Sequence, residues 1–328
     1  MVSAAAGLDY IGSLPFATHE LAIHGLATHR SAAAHARNHS PMKLAFSSNA
    51  YMKFSIEETI DRIARIGYSG LEVLADVPHA WPVNLLPERR ESIRDSLMKH
   101  GLRVSNVNGF MMNAVNDPRQ PYWHPSWIEP DANYRAIRRE HTKRALQLAA
   151  EIGAKNLQTE PGGPLEPGQS WDSAAQTFYD ELMPCVEVAE KYEVGLLIEP
   201  EPGLMIEKFD QYLKFVERIQ SPYVGLNFDI GHAYCVGEDP QDWVARMAPH
   251  TKHYHFEDIA PSRVHAHMVP GRGAIDFEKT LAAIQATGYD GFITVELYPY
   301  IDDPDAAARE AYDYLQGVAK RLGIVFEK

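Results

Sequence analysis

Asn227-Phe-Asp-Ile-Gly-His232 is the stretch that decides the fold. It follows an apolar lead-in and places a carboxylate and an imidazole three residues apart at the end of a predicted strand. Three further predicted strands end in the same manner: Glu199 closes the run Val194–Ile198, His255 closes His253–His255, and Glu296 closes Phe292–Val295. Functional residues of barrels lie at the C-terminal ends of their strands. Four such residues therefore predict a metal site at the mouth of a barrel.

Short apolar runs alternate with helical patterns along the chain. The predicted strands are Lys43–Ser47, Gly70–Leu74, Arg103–Asn108, Asn156–Thr159, Val194–Glu199, Gly225–Asp229, His253–Phe256 and Phe292–Glu296. The predicted helices between them include Ile56–Ile66, Arg89–His100, Ile137–Ile152, Trp171–Tyr192, Phe209–Ile219, Trp243–Met247 and Phe277–Ala286. Strands that alternate with helices indicate a parallel sheet, and eight such units predict an α/β fold, a (β/α)8 TIM barrel. The alternative, an open doubly wound sheet, would carry a glycine-rich first turn, which residues 47–51 lack.

Composition limits the function classes. The chain has 328 residues, 45% of them hydrophobic and 23% charged, with a net charge of −13. These values are typical of a soluble globular protein. The negative charge, without any basic stretch, disfavours nucleic acid and anionic membrane surfaces as partners. Two cysteines without metal spacing fit a reducing compartment, so we expect a cytoplasmic protein.

Residues 1–41 differ from the rest of the chain. They are rich in alanine and contain five irregularly spaced histidines, but lack the basic start and apolar centre of a secretory signal. We expect a poorly ordered N-terminal extension, 1–41, followed by a single barrel domain, 42–328. Met42 directly precedes the first strand and is an alternative start of the protein.

The four strand-end residues form a set of three carboxylates and one imidazole. Buried carboxylates are costly unless they are paired or bind a cation. Hard oxygen ligands with one imidazole favour Mn²⁺, with Mg²⁺, Co²⁺ or Zn²⁺ as alternatives. Taken singly, each residue could equally be a helix cap or an ion-pair partner. Their occurrence together favours Glu199, Asp229, His255 and Glu296 as metal ligands.

Further residues are candidates for substrate contact. His232 follows Asp229, and Gly231 between them predicts a sharp turn that aims the imidazole back at the metal. Glu160 and Glu201 lie at strand ends and could accept hydrogen bonds from sugar hydroxyls, although a structural role is the favoured alternative for both. Arg263 lies in the seventh loop, near Gly271-Arg-Gly273, which resembles a phosphate-binding loop only weakly. The long loop Met111–Asn133, with its prolines and tryptophans, is predicted to cover the barrel mouth as a lid.

Several motifs together resemble one family. They are Leu196-Leu-Ile-Glu199-Pro, Asn227-Phe-Asp229-Ile-Gly-His232, His253-Tyr-His255-Phe-Glu-Asp258, Val269-Pro-Gly271-Arg-Gly273-Ala-Ile-Asp276-Phe and Thr294-Val-Glu296. From Met42 onward the chain resembles the xylose isomerase-like TIM barrels, which include ketose 3-epimerases, hydroxypyruvate isomerase, inosose isomerases and dehydratases, and type IV endonucleases. The resemblance is specific for the superfamily and not for the substrate.

The resemblance implies roles for individual positions. It implies that the four strand-end residues bind a divalent metal, that Glu199 and Glu296 are the acid/base pair, and that His232 contacts substrate. Two positions depart from the ketose 3-epimerase pattern. Pro261 stands where those enzymes have an arginine, six residues after the histidine ligand, and Met205 stands where they have a glutamate.

The sequence therefore predicts a metal-dependent isomerase or epimerase that acts on a ketose or related polyol-ketone through an enediolate. Its expected partner is a small-molecule sugar, and a homo-oligomer or a partner subunit is possible. A lyase, either a dehydratase or a deglycosidase of a keto-sugar, is the alternative. A hydrolase similar to the endonucleases and a non-catalytic sugar-binding barrel are weaker alternatives.

Overall fold

A computed structural model describes residues 41–111, 113–115 and 123–327. Eight parallel strands close into a barrel, in which each strand pairs with the next and β1 pairs with β8. The strands are β1 (Lys43–Ser47), β2 (Gly70–Leu74), β3 (Arg103–Asn108), β4 (Asn156–Thr159), β5 (Gly195–Ile198), β6 (Val224–Asp229), β7 (Thr251–Phe256) and β8 (Phe292–Val295). The predicted (β/α)8 barrel is confirmed. The predicted extension, apart from Pro41, lies outside the described residues.

Helices follow the strands. They are α1 (Ile56–Ile66), α2 (Pro87–Lys99), α3 (Ala132–Ile152), α4 (Trp171–Tyr192), α5 (Phe209–Val216), α6 (Ile230–Cys235), α7 (Pro240–Met247), α8 (Phe277–Thr287) and α9 (Pro304–Leu322). A 3-10 helix, Ser48–Ala50, follows β1. Local signals set the helix ends: Ser55 and Glu58 form a capping box at the start of α1, and Gly67 ends it in the left-handed conformation. No helix in the described part of the chain is both long and apolar enough to cross a membrane.

The differences from the predicted elements have local causes. Helix α3 begins at Ala132 and not at Ile137, because the Asp131 side chain caps it by accepting a hydrogen bond from the backbone N–H of Asn133. Helix α7 begins at Pro240, a residue suited to a first helical turn because it needs no N–H partner there. The short helix α6 and the long helix α9 were not predicted. The strand predictions were right to the residue for β1 to β4 and differ at the ends of β5 to β8.

Strand alternation separates an apolar layer from a polar one. Apolar residues such as Leu226 and Phe228 on β6, or Tyr254 and Phe256 on β7, belong to the hydrophobic core that packs against the helices. The residues between them bear polar groups and are also buried; they include Glu72, Asn106, Asn108, Gln158, Asn227, His253, His255 and Thr294. Because side chains alternate between the two faces of a strand, this second set fills the inside of the barrel. The interior is therefore a polar framework beneath the barrel mouth.

Candidate active site

Glu199, Asp229, His255 and Glu296 converge on one point. Each offers a ligand atom, and these atoms all lie within 4.8 Å of one another. The nearest oxygens of Glu199, Glu296 and Asp229 are 2.8, 3.5 and 3.7 Å from Nδ1 of His255. All four side chains are buried. The structure thus brings the predicted set together at the C-terminal ends of β5 to β8.

The backbone fixes Asp229 at the start of α6. Its Oδ1 accepts a hydrogen bond of 2.7 Å from the backbone N–H of His232 and caps the helix. Gly231 was predicted to allow a sharp turn, but it lies within α6, and the reason for glycine is close packing. A Cβ atom there would lie 1.7 Å from Oε1 of Glu257. Gly231 therefore admits the buried Glu257 side chain beneath the helix.

Side-chain amides hold the two glutamates. Glu199 accepts hydrogen bonds from Gln158 at 3.0 Å and Asn227 at 2.8 Å. Glu296 Oε1 accepts from Asn49 at 2.9 Å and from Asn108 at 3.0 Å. These donors come from strands on both sides of the barrel and from the 3-10 helix. Partners of this kind fix the orientation of metal ligands.

Glu72 on β2 supports His255 and was not predicted from the sequence. Its Oε2 lies 2.7 Å from Nε2 of His255, and it also accepts hydrogen bonds from Ser47 and Asn106. Because an ionised carboxylate accepts hydrogen bonds and cannot donate them, Nε2 of His255 carries the proton in this contact. Nδ1 of His255 then faces Glu199, Asp229 and Glu296. Burial alone would lower the pKa of His255, but the surrounding carboxylates outweigh burial and raise it. The arrangement matches the carboxylate–histidine pairs that accompany metal ions.

The residues fit a divalent cation. Asp229 Oδ2 is buried and receives no N–H hydrogen bond among the described residues. The buried carboxyl group of Glu257 lies beside Asp229, and burial and this neighbour raise the pKa of Glu257. Burial raises the pKa of Glu199 and of Glu296, and nearby carboxylates add to the effect. A cation at this point would offset that repulsion and take the place of the proton on Nδ1 of His255. Three carboxylates and one imidazole, without a thiolate, suit Mn²⁺, Mg²⁺, Co²⁺ or Zn²⁺.

A pocket opens directly beside these groups. The lining residues in the described chain are Asn49, Asn108, Phe110, Glu199, Glu201, His232, His265, His267, Glu296 and Tyr298. The empty space among them, including the open mouth, is about 430 Å³. Glu199 and Glu296, two of the four converging residues, belong to this lining.

Three histidines, His232, His265 and His267, form one wall of the pocket. His232 Nδ1 lies 3.0 Å from the carbonyl oxygen of Pro200, and His267 Nδ1 lies 3.0 Å from that of Glu296. Because a carbonyl only accepts, both Nδ1 atoms carry protons and both Nε2 atoms are acceptors. Burial lowers the pKa of all three imidazoles, to about 4 for His267. The wall is therefore neutral at pH 7.

The other predicted substrate contacts separate into two groups. Glu201 lines the pocket, and its buried Oε2 has no hydrogen-bond partner among the described residues. Glu160 is not among the lining residues: it accepts hydrogen bonds from the backbone N–H groups of Trp127 and Gly162, at 2.9 and 2.5 Å. These contacts are with backbone groups, so they fit the structural role that the sequence favoured for Glu160.

Arg263 does not reach the pocket, and its predicted substrate contact is not supported by its position. Its guanidinium donates to the carbonyl oxygen of Tyr234 and to Asp239, at 2.5 and 2.8 Å, and it stacks over the Tyr234 ring. Arg263 itself has a positive φ of 60°, which turns the chain at this point. The guanidinium therefore ties the seventh loop to the segment after α6.

The predicted lid is described in part. Residues 112 and 116–122, in the middle of Met111–Asn133, lie outside the described residues. Phe110 lines the pocket just before the loop. Trp127 donates a hydrogen bond of 2.9 Å from its indole to Thr159, the last residue of β4. The later part of the loop is thus anchored at the C-terminal end of the barrel, and closure over the mouth stays a prediction.

Comparison with known proteins identifies the family. A family model described as the xylose isomerase-like TIM barrel matches residues 60–318. The chain belongs to this family. Among curated relatives, an L-ribulose-5-phosphate 3-epimerase of Escherichia coli (strain SMS-3-5 / SECEC) is 24% identical over 284 residues, which cover 86% of this chain and 89% of the relative.

Solved structures of the family share the fold. A D-tagatose 3-epimerase-like protein has a TM-score of 0.71 at 22% identity and covers 86% of this chain and 100% of its own. The apo form of the 3-keto-D-glucoside 4-epimerase YcjR of E. coli has a TM-score of 0.69 at 19% identity, with coverage of 84% and 99%. IolI protein with a bound zinc atom has a TM-score of 0.69 at 18% identity, with coverage of 85% and 99%. The homologues of this xylose isomerase-like barrel are therefore sugar epimerases at low identity.

Proposed function

We propose that this barrel is a divalent-metal-dependent isomerase or epimerase of a ketose or related polyol-ketone. The observation that carries the proposal is the convergence of two buried glutamates, Glu199 and Glu296, on the same imidazole nitrogen beside an open pocket. The epimerases among its relatives support the same class of reaction. Mn²⁺ is the proposed metal, with Mg²⁺, Co²⁺ or Zn²⁺ as alternatives.

Proton transfer needs two groups of matched basicity. Burial raises the pKa of both glutamates, which makes them stronger bases than exposed carboxylates. In the proposed reaction one glutamate removes the proton from the carbon beside the carbonyl, and the other returns a proton to the enediolate. A bound cation would stabilise the negative charge that develops on the oxygens. His232 and Glu201 are proposed to orient the sugar hydroxyls.

A lyase is the second candidate, because an enediolate can expel a leaving group from the adjacent carbon. The same two glutamates would serve, one as base and one as acid toward the departing oxygen. The products distinguish the two reactions: a lyase releases water or an alcohol, and an isomerase conserves the atoms of the sugar. We propose a small-molecule sugar as the partner, rather than nucleic acid or a membrane, and a cytoplasmic location. Assembly as a homo-oligomer or with a partner subunit is compatible with this function.

The test is solvent exchange on a panel of substrates. The full-length protein with Mn²⁺ is incubated in D₂O with free ketoses, keto-inositols and 3-keto-glycosides, and NMR follows deuterium at the carbon beside the carbonyl. We expect incorporation with at least one class, and a loss of about 10²–10⁴ in rate for Glu199→Gln and for Glu296→Gln. Glu181→Gln removes a carboxylate that pairs with Arg135 and Arg139 and does not line the pocket, and should retain the wild-type rate. Turnover without exchange and without dependence on either glutamate would refute the proposal.

A further inference from the structure

We infer that the substrate of this pocket is an uncharged sugar and not a sugar phosphate. The inference rests on the proposed function and narrows its substrate class. It separates this protein from the L-ribulose-5-phosphate 3-epimerases that it resembles. Three observations carry it: the composition of the pocket lining, the internal contacts that occupy the glycine loop after β7, and the unpaired buried atoms of residues that line the pocket.

The described lining of the pocket consists of carboxyl, amide, imidazole and aromatic groups. Its carboxyl groups belong to Glu199, Glu201 and Glu296. No lysine or arginine is among these lining residues. A phosphate monoester carries a charge of about −1.5 to −2 at pH 7, and proteins commonly bind it through arginine, lysine or backbone N–H groups. A divalent cation bound by three carboxylates would have no net positive charge left to attract a phosphate group.

Nearby arginines in the described chain are engaged elsewhere. Arg263 pairs with Asp239, and Arg272 forms an exposed ion pair with Glu310. Arg138 is fully buried, where it donates to the carbonyl oxygens of Pro125 and Gly109 and lies 3.9 Å from Glu160. Releasing any of them toward the pocket would break these contacts.

The glycine loop after β7 is filled by the protein itself. Gly271 and Gly273 donate from their backbone N–H groups to Oδ2 of Asp258, at 2.9 and 2.7 Å, and Ile275 donates to Oδ1 at 3.1 Å. Successive N–H groups of this kind can form an anion site. Here the anion is the carboxylate of Asp258, two residues after the end of β7. The sequence likeness of Gly271-Arg-Gly273 to a phosphate-binding loop therefore reflects an internal contact.

Some polar atoms of the residues that line the pocket have no hydrogen-bond partner in the described structure. Asn49 Oδ1 and Glu201 Oε2 belong to residues that line it, and both atoms are buried without a partner in the described structure. A sugar hydroxyl can donate to each of these atoms, whereas a phosphate dianion can only accept. The chemistry of the pocket is therefore complementary to a polyol.

The test uses sugars that differ only in the phosphate. Wild-type protein with Mn²⁺ is incubated in D₂O with ribulose and ribulose 5-phosphate, and with fructose and fructose 6-phosphate. Where a pair is accepted, we expect kcat/KM for exchange to be higher for the free sugar by about 10²-fold or more, because the ester leaves buried polar groups unpaired. In Glu201→Arg, which places a cation in the pocket, the preference for the free sugar should shrink.

The outcomes distinguish a failure of the substrate-class inference from a failure of the proposed function. Exchange that is as fast or faster with the phosphate ester would overturn this inference and leave the proposed function standing. If no sugar of either pair exchanges, the wider panel of keto-inositols and 3-keto-glycosides decides the proposed function, and thermal stabilisation of the Mn²⁺-loaded protein by the same pairs decides the inference. Stabilisation by the free sugar would support it, and stabilisation by the ester, or by neither member of a pair, would overturn it.

Discussion

Replacing Glu72 by glutamine should weaken the metal site without changing any of its proposed ligands. Glu72 is fully buried, and its Oε2 lies 2.7 Å from Nε2 of His255. It is also held by Ser47 at 2.7 Å and by Asn106 at 2.8 Å. Glutamine keeps the volume and one acceptor oxygen but removes the negative charge. The imidazole then loses the partner that makes Nδ1 a better ligand.

The magnitude follows from the type of contact. A hydrogen bond to a charged group contributes about 1.5–3 kcal/mol, and loss of such supporting partners commonly lowers metal affinity about 10–100-fold. At about 1.4 kcal/mol per factor of ten, these ranges agree. We expect the dissociation constant for Mn²⁺ to rise by about 10–100-fold. The change should be larger for Zn²⁺ than for Mn²⁺, because an imidazole nitrogen binds Zn²⁺ more strongly.

The assay is a titration with Mn²⁺ in which the free ion is followed by its electron paramagnetic resonance signal. Circular dichroism and thermal unfolding verify that the variant is folded. Glu181→Gln, which loses a carboxylate between α3 and α4, serves as the matched control and should bind Mn²⁺ as the wild type does. If folded Glu72→Gln binds Mn²⁺ with wild-type affinity, then Glu72 does not support the ligand and the assignment of Nδ1 to the cation is mistaken.

Two further predictions concern the same region. Burial raises the pKa of Glu199 to about 7, and a cation must displace the proton from this carboxyl group. The apparent Mn²⁺ affinity should therefore rise between pH 5.5 and 7.5, roughly the span around this pKa. Calorimetric titrations that give the same affinity across this range would contradict the prediction. Gly231→Ala places a Cβ 1.7 Å from Glu257 Oε1 and should lower the free energy of unfolding by about 1–3 kcal/mol. Gly317→Ala in α9, where a Cβ would lie 3.6 Å from Nη1 of Arg321, should be neutral or stabilising. Equal melting temperatures for the two variants would refute the packing argument.

Much of the fold could be predicted because its signals are local. Strand β2 and helix α1 were predicted to the residue, since glycine, a capping box and a change of hydrophobic period mark their ends. Helix α6 was missed because it has only six residues and starts directly from the strand that ends at Asp229. A pattern of 3.6 residues cannot be recognised over so short a segment. Helix α9 spans 19 residues and has a proline in its first turn, so its pattern was long enough to predict it.

The site could be predicted only where its residues close a strand. Glu199 and Glu296 each follow an apolar run, so their positions were visible in the sequence. Glu72 lies in the middle of Gly-Leu-Glu-Val-Leu and looked like an isolated polar residue in an apolar strand. Its contact with His255 joins residues 183 positions apart across the closed barrel. The signal that could have found it is alternation, because strands of a parallel sheet are usually apolar on both faces.

That alternation explains why the barrel tolerates so polar an interior. Hydrogen bonds link the buried groups: Asn227 joins His253 to Glu199, and Gln158 joins Glu199 to Asn106, which in turn donates to Glu72. These hydrogen bonds offset much of the cost of burying the groups, since an unpaired group costs about 1–3 kcal/mol. Among the groups of this network in the described structure, only Oδ1 of Asn106 has no partner. Hydrophobic stabilisation then comes from the outer layer between strands and helices. Because the outer layer supplies this stabilisation, the polar side chains of the inner layer can position the carboxylates at the barrel mouth. Each inner side chain therefore helps to orient the proposed ligands and bases.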